Sequence, residues 1–460
     1  MGRDCHLEDS EASSGWKGME LLIKAERMIM KYPLCDNCLG RQFALLGSDL
    51  SNGERGEALK TLLAMKAHML IYEKKNEDYG LSLLKALAIN GDSKVAKAVL
   101  RRIGKEVEES RDCYLCGGRF KLIDDIVEAI LKKVEGFEFN TFLVGVKLPN
   151  EVEERDDEFK AEFEVKFSEN IRNELSREIG KRISKILGRR VDYKNPEMVI
   201  LINPFKETVT LKPNPLFIYG RYRKLKRGLP QSRWVCRECK GKGCPRCDWT
   251  GKLYPESVEE LISKKVLEAT LGKKAKLHAA GREDRDVLML GNGRPFVLEI
   301  KEPKKRFIDL ESLSKEINEY AKGKVEVLDL QFSDRETVRR IKKIERSQKV
   351  YRVVAKFDRE ISDEDLRKVE EALNGVRITQ RTPTRVLHRR ADKVREKQIY
   401  EVKVRKLKPN KVEMIIRSEG GLYIKELING DGGRTKPNVA EVVGREVKIE
   451  KLDVLNVIEG

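Results

Sequence analysis

The sequence predicts a multidomain α+β protein, and three observations carry that expectation. Helical periodicity runs through residues 19–121, helices and strands alternate over 122–225, and 251–460 mixes helices with several strand patterns. At 460 residues, 40% of them hydrophobic, the chain can fill about two to four cores of ~100–200 residues each. Residues 1–18 are polar and lack apolar periodicity, so a flexible tail or an overextended start is expected there, with Met19 as an alternative first residue. An α-rich domain over 19–121 follows from the run Leu21–Met30 and from Leu81, Leu84, Leu87 and Ala88. Within 122–225, Ile123, Ile126, Val127, Ile130 and Val134 recur at helical spacing before Gly136, as do Ile171, Leu175, Ile179, Ile183 and Leu187 before Gly188. FLVGVKL at 142–148, MVILIN at 198–203 and TVTL at 208–211 read as strands, making this interval a compact α/β unit. A basic connector with a cysteine cluster fills 226–250. In 251–460, Ser362 and Asp365 have capping-box spacing for a helix over 362–374 that Gly375 ends. Strands are expected at 324–332, 350–357, 399–405, 412–417 and 446–450.

Lys and Arg outnumber Asp and Glu by 94 to 76, a net charge of +18 that calls for a polyanionic partner, with nucleic acid foremost. No run approaches the ~18–20 apolar residues of a spanning helix, and no basic segment followed by an apolar one opens the chain, so no membrane partner and a cytoplasmic location are expected. The expected assembly is a monomer. A charged content of 37% also fits heat-adapted proteins.

Eight of nine cysteines form Cys-x-x-Cys pairs, and Cys5 is left over. Paired spacing in a large chain without an export signal points to metal before disulfides. Cys236, Cys239, Cys244 and Cys247 lie within twelve residues, enough for one tetrahedral S4 zinc cage, with Gly241, Gly243 and Gly251 freeing the knuckles. A redox or inert pairing is the alternative. All four positions being thiolates, such a zinc is structural. Cys35/Cys38 and Cys113/Cys116 share an ion only if the helical domain folds them together; otherwise they are two separate reduced pairs. Four histidines, His6, His68, His278 and His388, are too few and too scattered for a histidine-based catalytic metal.

Two basic stretches are candidate RNA surfaces. YGRYRKLKRG at 219–228 interleaves Tyr219 and Tyr222 with Arg221, Arg223, Lys224 and Arg227, a pattern that neutralises phosphates and stacks unpaired bases, or else is a solvated linker. Arg377, Arg381, Arg385, Arg389, Arg390 and Arg395 crowd TPTRVLHRRAD at 382–392, which reads as a substrate-gripping loop or a surface helix. GREDRDVLMLGNGRPF at 281–296 sets Glu283, Asp284 and Asp286 among arginines before a glycine turn. Taken alone, such a segment is as well read as a solvated edge. Gly291-x-Gly293 is not a dinucleotide loop, because Phe296 stands in the third glycine position.

AGREDRDVLMLGNGRPFVLEI resembles the catalytic segment of the archaeal and eukaryotic tRNA pseudouridine-54/55 synthase family. LCDNCLGRQFA at 34–44, FIYGRYRKLKRGLPQSRW at 217–234, RTPTRVLHRRADKVR at 381–395 and EGGLYIKELINGDGGRTKPNVAE at 419–441 resemble it in the same order. The resemblance implies a THUMP-containing RNA-binding region over 122–225 and a pseudouridine synthase fold over 251–460, a mixed, mostly antiparallel sheet flanked by helices. It implies Asp284 as the catalytic aspartate, Tyr351 in KVYRVVAKF as the ring stacked on the base, Lys425 in LYIKEL as the aspartate's basic partner, and Ile424 and Leu452 as pocket residues. It implies one zinc shared by the first two cysteine pairs, while the second cluster resembles archaeal members. With both cages filled the cofactors are two structural zinc ions and nothing organic, and the partner is tRNA at its TΨC arm. Asp286, two residues on, competes with Asp284 by sharing its face in an extended segment. Two other functions remain open: a THUMP-bearing tRNA enzyme of another class, against which no glycine-rich nucleotide loop follows a strand, and a noncatalytic zinc-ribbon RNA-binding protein, which has no use for Asp284.

Overall fold

The computed structural model describes residues 14–344 and 347–458. Most of the expected tail, with Cys5 and His6, therefore lies outside the described residues, and a helix already begins at Ser14. Two compact units divide between Lys212 and Pro213. Among the described residues, no helix is long and apolar enough to cross a membrane.

The first unit joins helices Ser14–Lys31, Asp36–Gly40, Asn52–Tyr72, Glu77–Ile89 and Lys94–Arg102 to an α/β segment. A capping box of Ser51 with Glu54 starts the longest of these helices. Helix Asp36–Gly40 crosses it with almost no gap: a Cβ on Gly40 would stand 1.9 Å from the Asn52 carbonyl oxygen, and one on Gly56 2.0 Å from that of Asp36. Only glycine permits this approach, which seats the Cys35–Cys38 turn. Strands β1 (Thr141–Val146), β2 (Arg190–Val191), β3 (Met198–Asn203) and β4 (Thr208–Pro213) follow, in the sheet order β2-β1-β3-β4. Helices Ile123–Val134 and Ile171–Leu187 match their periodicity, the latter closed by Gly188 at φ 65°. The expected boundary near 121 separates no core. One hydrophobic cluster runs from Ala25 to Val209, and buried Arg41 ties the halves together by reaching Asp156 at 2.7 Å and Glu174 at 3.5 Å.

The second unit is built on a mixed sheet of β5 (Leu216–Lys224), β6 (Lys274–Ala279), β7 (Leu288–Lys301), β8 (Val325–Ser333), β9 (Lys349–Phe357), β10 (Arg377–Arg381), β11 (Val394–Lys408), β12 (Lys411–Ser418), β13 (Thr435–Lys436) and β14 (Val447–Val457). The order is β13-β10-β11-β12-β9-β14-β7-β5-β8, with β6 also paired to β7. β14 and β7 run parallel, and the remaining neighbours are antiparallel. The mixed, mostly antiparallel sheet is the one expected. Helix Asp363–Leu373 has the capping box of Ser362 with Asp365.

The expected boundary at 225 is corrected by β5. This strand sits between β7 and β8, pairing Tyr219 with Val297 and Gln331. Ile218, Gly220, Tyr222 and Lys224 are buried while Tyr219, Arg221 and Arg223 alternate toward the more exposed face. Residues 216–224 thus form a period-2 strand, which rules out the solvated-linker alternative for them.

Candidate active site

The loop between β6 and β7 carries Asp284, and a buried polar scaffold holds it. Glu283 is buried and receives the Arg294 Nε–H at 2.9 Å and the Tyr222 hydroxyl at 3.0 Å. Gln231 in turn donates to the Tyr222 oxygen at 2.7 Å. Burial, reinforced by the Glu283 charge, holds the Tyr222 phenol well above its usual range. The Lys224 ammonium donates to the carbonyls of Leu229 and Asp284, both at 3.0 Å, and to that of Arg285 at 3.2 Å. Burial lowers its pKa, against the pull of Glu283 and Asp286. Arg227 donates to the carbonyls of Asp286 at 2.7 Å and Leu452 at 2.9 Å and pairs with Asp453. Three successive carbonyls of the loop, from Asp284 to Asp286, are thus gripped by cations of the 219–228 stretch.

This corrects the expected RNA surface. Lys224 is buried and has no access to a phosphate, and the buried Tyr222 ring cannot stack on a base. Arg221 holds the carbonyls of Asn292 at 2.6 Å and Gly293 at 3.1 Å, and Arg223 that of Gly291 at 2.5 Å together with Glu326 at 2.9 Å. All four residues expected to grip phosphate hold backbone carbonyls, and of these only Lys224 is fully buried, Arg221, Arg223 and Arg227 staying partly exposed.

The Asp284 carboxylate opens onto a cavity of about 180 Å³, more than ten times the ~10–15 Å³ that admits one water. Its Oδ2 lies 3.0 Å from Arg385 Nη1 and 3.6 Å from Lys425 Nζ. Lys425 is closer to Asp286, at 2.7 Å, so the expected aspartate–lysine pairing is shared between two acids. Burial pushes the Asp286 carboxyl up, but the hydrogen bond and charge of Lys425 win and leave it below the usual range. Arg385 lies on the turn Thr384–Arg389, braced by Glu426 at 2.6 Å. The segment expected to grip substrate thus turns one arginine onto the acid, and Arg390 also lines the cavity. Arg389 is on the same turn, its side chain outside the described residues.

Tyr351 on β9 faces the cavity beside Leu452 and Val454 of β14, and the sheet register sets Val454 opposite Tyr351. Burial pushes the Tyr351 phenol up to about 12. Ile424, buried at the start of helix Ile424–Asn429, completes an apolar wall. Sequence reasoning missed Arg294, Lys349 and Tyr423, which line the same cavity, and the role of Glu283 under it. Arg294 carries a signal in the sequence: it is the one cation at the head of the apolar run Pro295–Leu298.

The cysteines gather into two sets, Cys35, Cys38, Cys113 and Cys116, and Cys236, Cys239, Cys244 and Cys247, with the sulfurs of each set within 4.8 Å of one another. Sγ separations are 3.7 Å for Cys35–Cys116, 3.9 Å for Cys236–Cys244, 3.8 Å for Cys239–Cys247 and 3.6 Å for Cys244–Cys247. These are far longer than the ~2.05 Å of a disulfide. They fit the edge of about 3.8 Å of a tetrahedron with ~2.3 Å metal–sulfur bonds. Each set can hold one metal ion, so the first two pairs are not separate.

An acid held by cations, a buried ring and an apolar wall around one cavity make an enzyme-type site able to set a small flat ring against a carboxylate. Residues 217–458 match the family model for the C-terminal part of Pus10, and residues 126–203 that for the archaeal Pus10 THUMP domain. The tRNA pseudouridine synthase Pus10 of Methanocaldococcus jannaschii is 45% identical over 96% of this chain and 95% of its own, and that of Thermofilum pendens 43% over 95% and 96%. A solved Cbf5–Nop10–Gar1 complex overlaps 51% of this chain and 47% of the matched one at 13% identity, with a TM-score of 0.29. The chain belongs to the Pus10 family of tRNA pseudouridine synthases.

Proposed function

We propose that the chain isomerises uridine to pseudouridine in the TΨC arm of tRNA, at position 54, 55 or both, with Asp284 as the catalytic carboxylate. One observation carries this reading: Asp284 Oδ2, bound by Arg385 and Lys425, meets a cavity walled by Tyr351, Ile424 and Leu452.

The reaction breaks the N1–C1′ bond, rotates the freed uracil and joins C5 to C1′, the proton leaving C5 while N1 gains one. Atoms and electrons balance without an oxidant or an added group, so no organic cofactor is called for. Asp284 serves as nucleophile at C1′ or C6, or as base toward a sugar proton. Arg385 and Lys425 hold its oxygen in one position, which limits the geometric search at each turnover. The Tyr351 ring and the apolar wall hold the detached base and keep water from it. A uridine in the folded elbow must be flipped out, at a cost of a few kcal/mol that phosphate contacts offset; Arg389 and Arg390 are the candidates for those contacts. The residues over 126–203 that match the THUMP model supply a further RNA contact.

Both tetrahedral sulfur sets suit zinc, held by Cys35, Cys38, Cys113 and Cys116 and by Cys236, Cys239, Cys244 and Cys247. Zinc there supplies cross-links to the fold and no catalytic position. Elemental analysis should return about two zinc ions per chain. We place the enzyme in the cytoplasm as a monomer, which light scattering with and without tRNA tests.

The deciding experiment incubates purified protein with an unmodified tRNA transcript and no added cofactor, then maps pseudouridine. Product at 54 or 55, lost in Asp284→Ala with tRNA binding kept, supports the reading; a requirement for S-adenosylmethionine or ATP, or full activity in Asp284→Ala, refutes it.

A further inference from the structure

Of the cations that line the Asp284 cavity, Arg294 is the most deeply buried, at 1% exposed. The phase of β7 brings it there: Arg294, Phe296 and Leu298 share one face of the strand, and the core on that face includes Tyr351. Gly293, at φ 74°, lets β7 pass so close to β5 that a Cβ would stand 2.8 Å from the Tyr222 carbonyl oxygen. The register then sets Arg294 opposite Tyr222.

The surroundings of Arg294 are short of negative charge. Glu283 is its ion-pair partner, and that one carboxylate also faces the Lys224 ammonium at 3.9 Å. The third group on Glu283, the Tyr222 phenol, is kept protonated by burial. Among the described residues, neither cation has a second ion-pair partner, and the carbonyls that both also meet are neutral. One buried anion therefore answers two buried cations, an excess that costs stability in a low-dielectric interior. The other cavity cations are placed differently. Arg385 and Lys425 are taken up by Asp284, Asp286 and Glu426, while Arg282 and Arg390 are exposed, where solvent screens them. Lys349, buried on the Tyr351 face of β9, adds to the positive side. The cavity thus joins an acid at Asp284 to a cationic wall at Arg294, and the Tyr351 ring lies close enough to that wall for the Arg294 charge to act on its phenol.

Resting on the proposed isomerisation, we infer that Arg294 is a further catalytic residue, whose guanidinium meets a carbonyl oxygen of the uracil and holds the negative charge that the base carries while it is detached. Such a charge arises in each role open to Asp284. Whether the carboxylate attacks C1′ or removes a sugar proton, the N1–C1′ bond breaks with its electron pair on the uracil, which spreads it over N1 and the two carbonyl oxygens. Attack at C6 sends the C5–C6 pair toward O4. In every case a pair returns from C5 to C1′ as the new bond forms, so the charge is present only during the reaction. A fixed, buried cation stabilises charge of that kind without reorganising, and solvent does not weaken it.

The test compares two substrates in single turnover with the zinc-loaded full chain: tRNA transcripts carrying uridine or 5-fluorouridine at positions 54 and 55. Fluorine withdraws electrons and so stabilises the detached base by itself. Consumption of the nucleoside at those positions is read by digestion and mass spectrometry. Arg294→Met should slow uridine by about 10²–10³-fold and 5-fluorouridine by at least about tenfold less, the range for loss of one donor to a developing anion. Arg294→Lys, which keeps the charge, should keep the parent's ratio between the two substrates. Each ratio is taken within one preparation, so a share of unfolded protein cancels, and Arg294→Gln repeats the measurement if Arg294→Met yields no folded chain. Equal losses on both substrates, the mark of an arginine that only supports the fold, overturn the inference, as does a loss below about tenfold on uridine. A parent that converts neither substrate defeats the isomerase reading and this inference with it, whereas failure of the inference alone leaves the parent active.

Discussion

Replacing Glu283 with Gln probes the scaffold under Asp284. The Glu283 and Arg294 side chains are about 0% and 1% exposed and 2.9 Å apart, and the same carboxylate accepts the Tyr222 hydroxyl. The amide keeps an acceptor for Tyr222 but leaves the buried Arg294 charge uncompensated, its bond to the Ala280 carbonyl at 2.6 Å being to a neutral group. Removing one member of a buried pair typically costs 3–5 kcal/mol, so about that loss is expected in the second unit. Turnover should fall with it, because Asp284 is the next residue. The assay is urea unfolding followed by fluorescence of Trp234 and Trp249, both in that unit, in a Trp16→Phe background. Adding Arg294→Met should restore part of the stability, since of the two buried cations that Glu283 faces only Lys224, 3.9 Å away and bonded to three carbonyls, then remains. A loss below about 1 kcal/mol for Glu283→Gln, or no recovery in the double variant, would refute the account.

The two neighbouring acids should separate: Asp284→Asn is expected to lose at least ~10²-fold in single-turnover rate, whereas Asp286→Asn, which removes the nearer partner of Lys425 and leaves Asp284 in place, should stay within about tenfold. Tyr351→Phe should keep most activity and Tyr351→Ala lose about 5- to 150-fold, since the ring and not the hydroxyl is used. With its folded pKa raised from 10 to about 12, the phenol favours the fold fully below pH 10 and loses that contribution only toward pH 12. Tyr351 should therefore add no limb to the pH–rate profile below 10. In the first unit, burial raises Glu174 from 4.5 to about 7, against the Asn37 hydrogen bond and the Arg41 charge. Its contribution is full below pH 4.5 and is lost as pH rises through 7, a swing of at most about 3 kcal/mol. The thermal midpoint of that unit should fall between pH 5 and 8, and Glu174→Gln should flatten the fall.

What was legible in the sequence followed the range over which each signal acts. Ile171–Leu187 and MVILIN were readable because periodicity and caps are local, and both appear where expected. Asp284 became distinguishable from Asp286 only through a motif spanning the whole loop, since residue spacing alone puts both on one face. The stretch at 219–228 misled for a definite physical reason. A run of cations says nothing about its acceptors, and here these are carbonyls of Leu229, Asp284–Asp286, Gly291–Gly293 and Leu452, mostly distant in sequence. A lysine in the buried phase of a strand is the case to recognise: Ile218, Gly220, Tyr222 and Lys224 share one face, so Lys224 must go inward with them. Once inward, its charge needs oxygens, and a loop whose carbonyls converge on it is thereby fixed. The cations of this chain are therefore divided between those that hold the Asp284 loop and those left exposed, and only the pattern of burial tells the two apart.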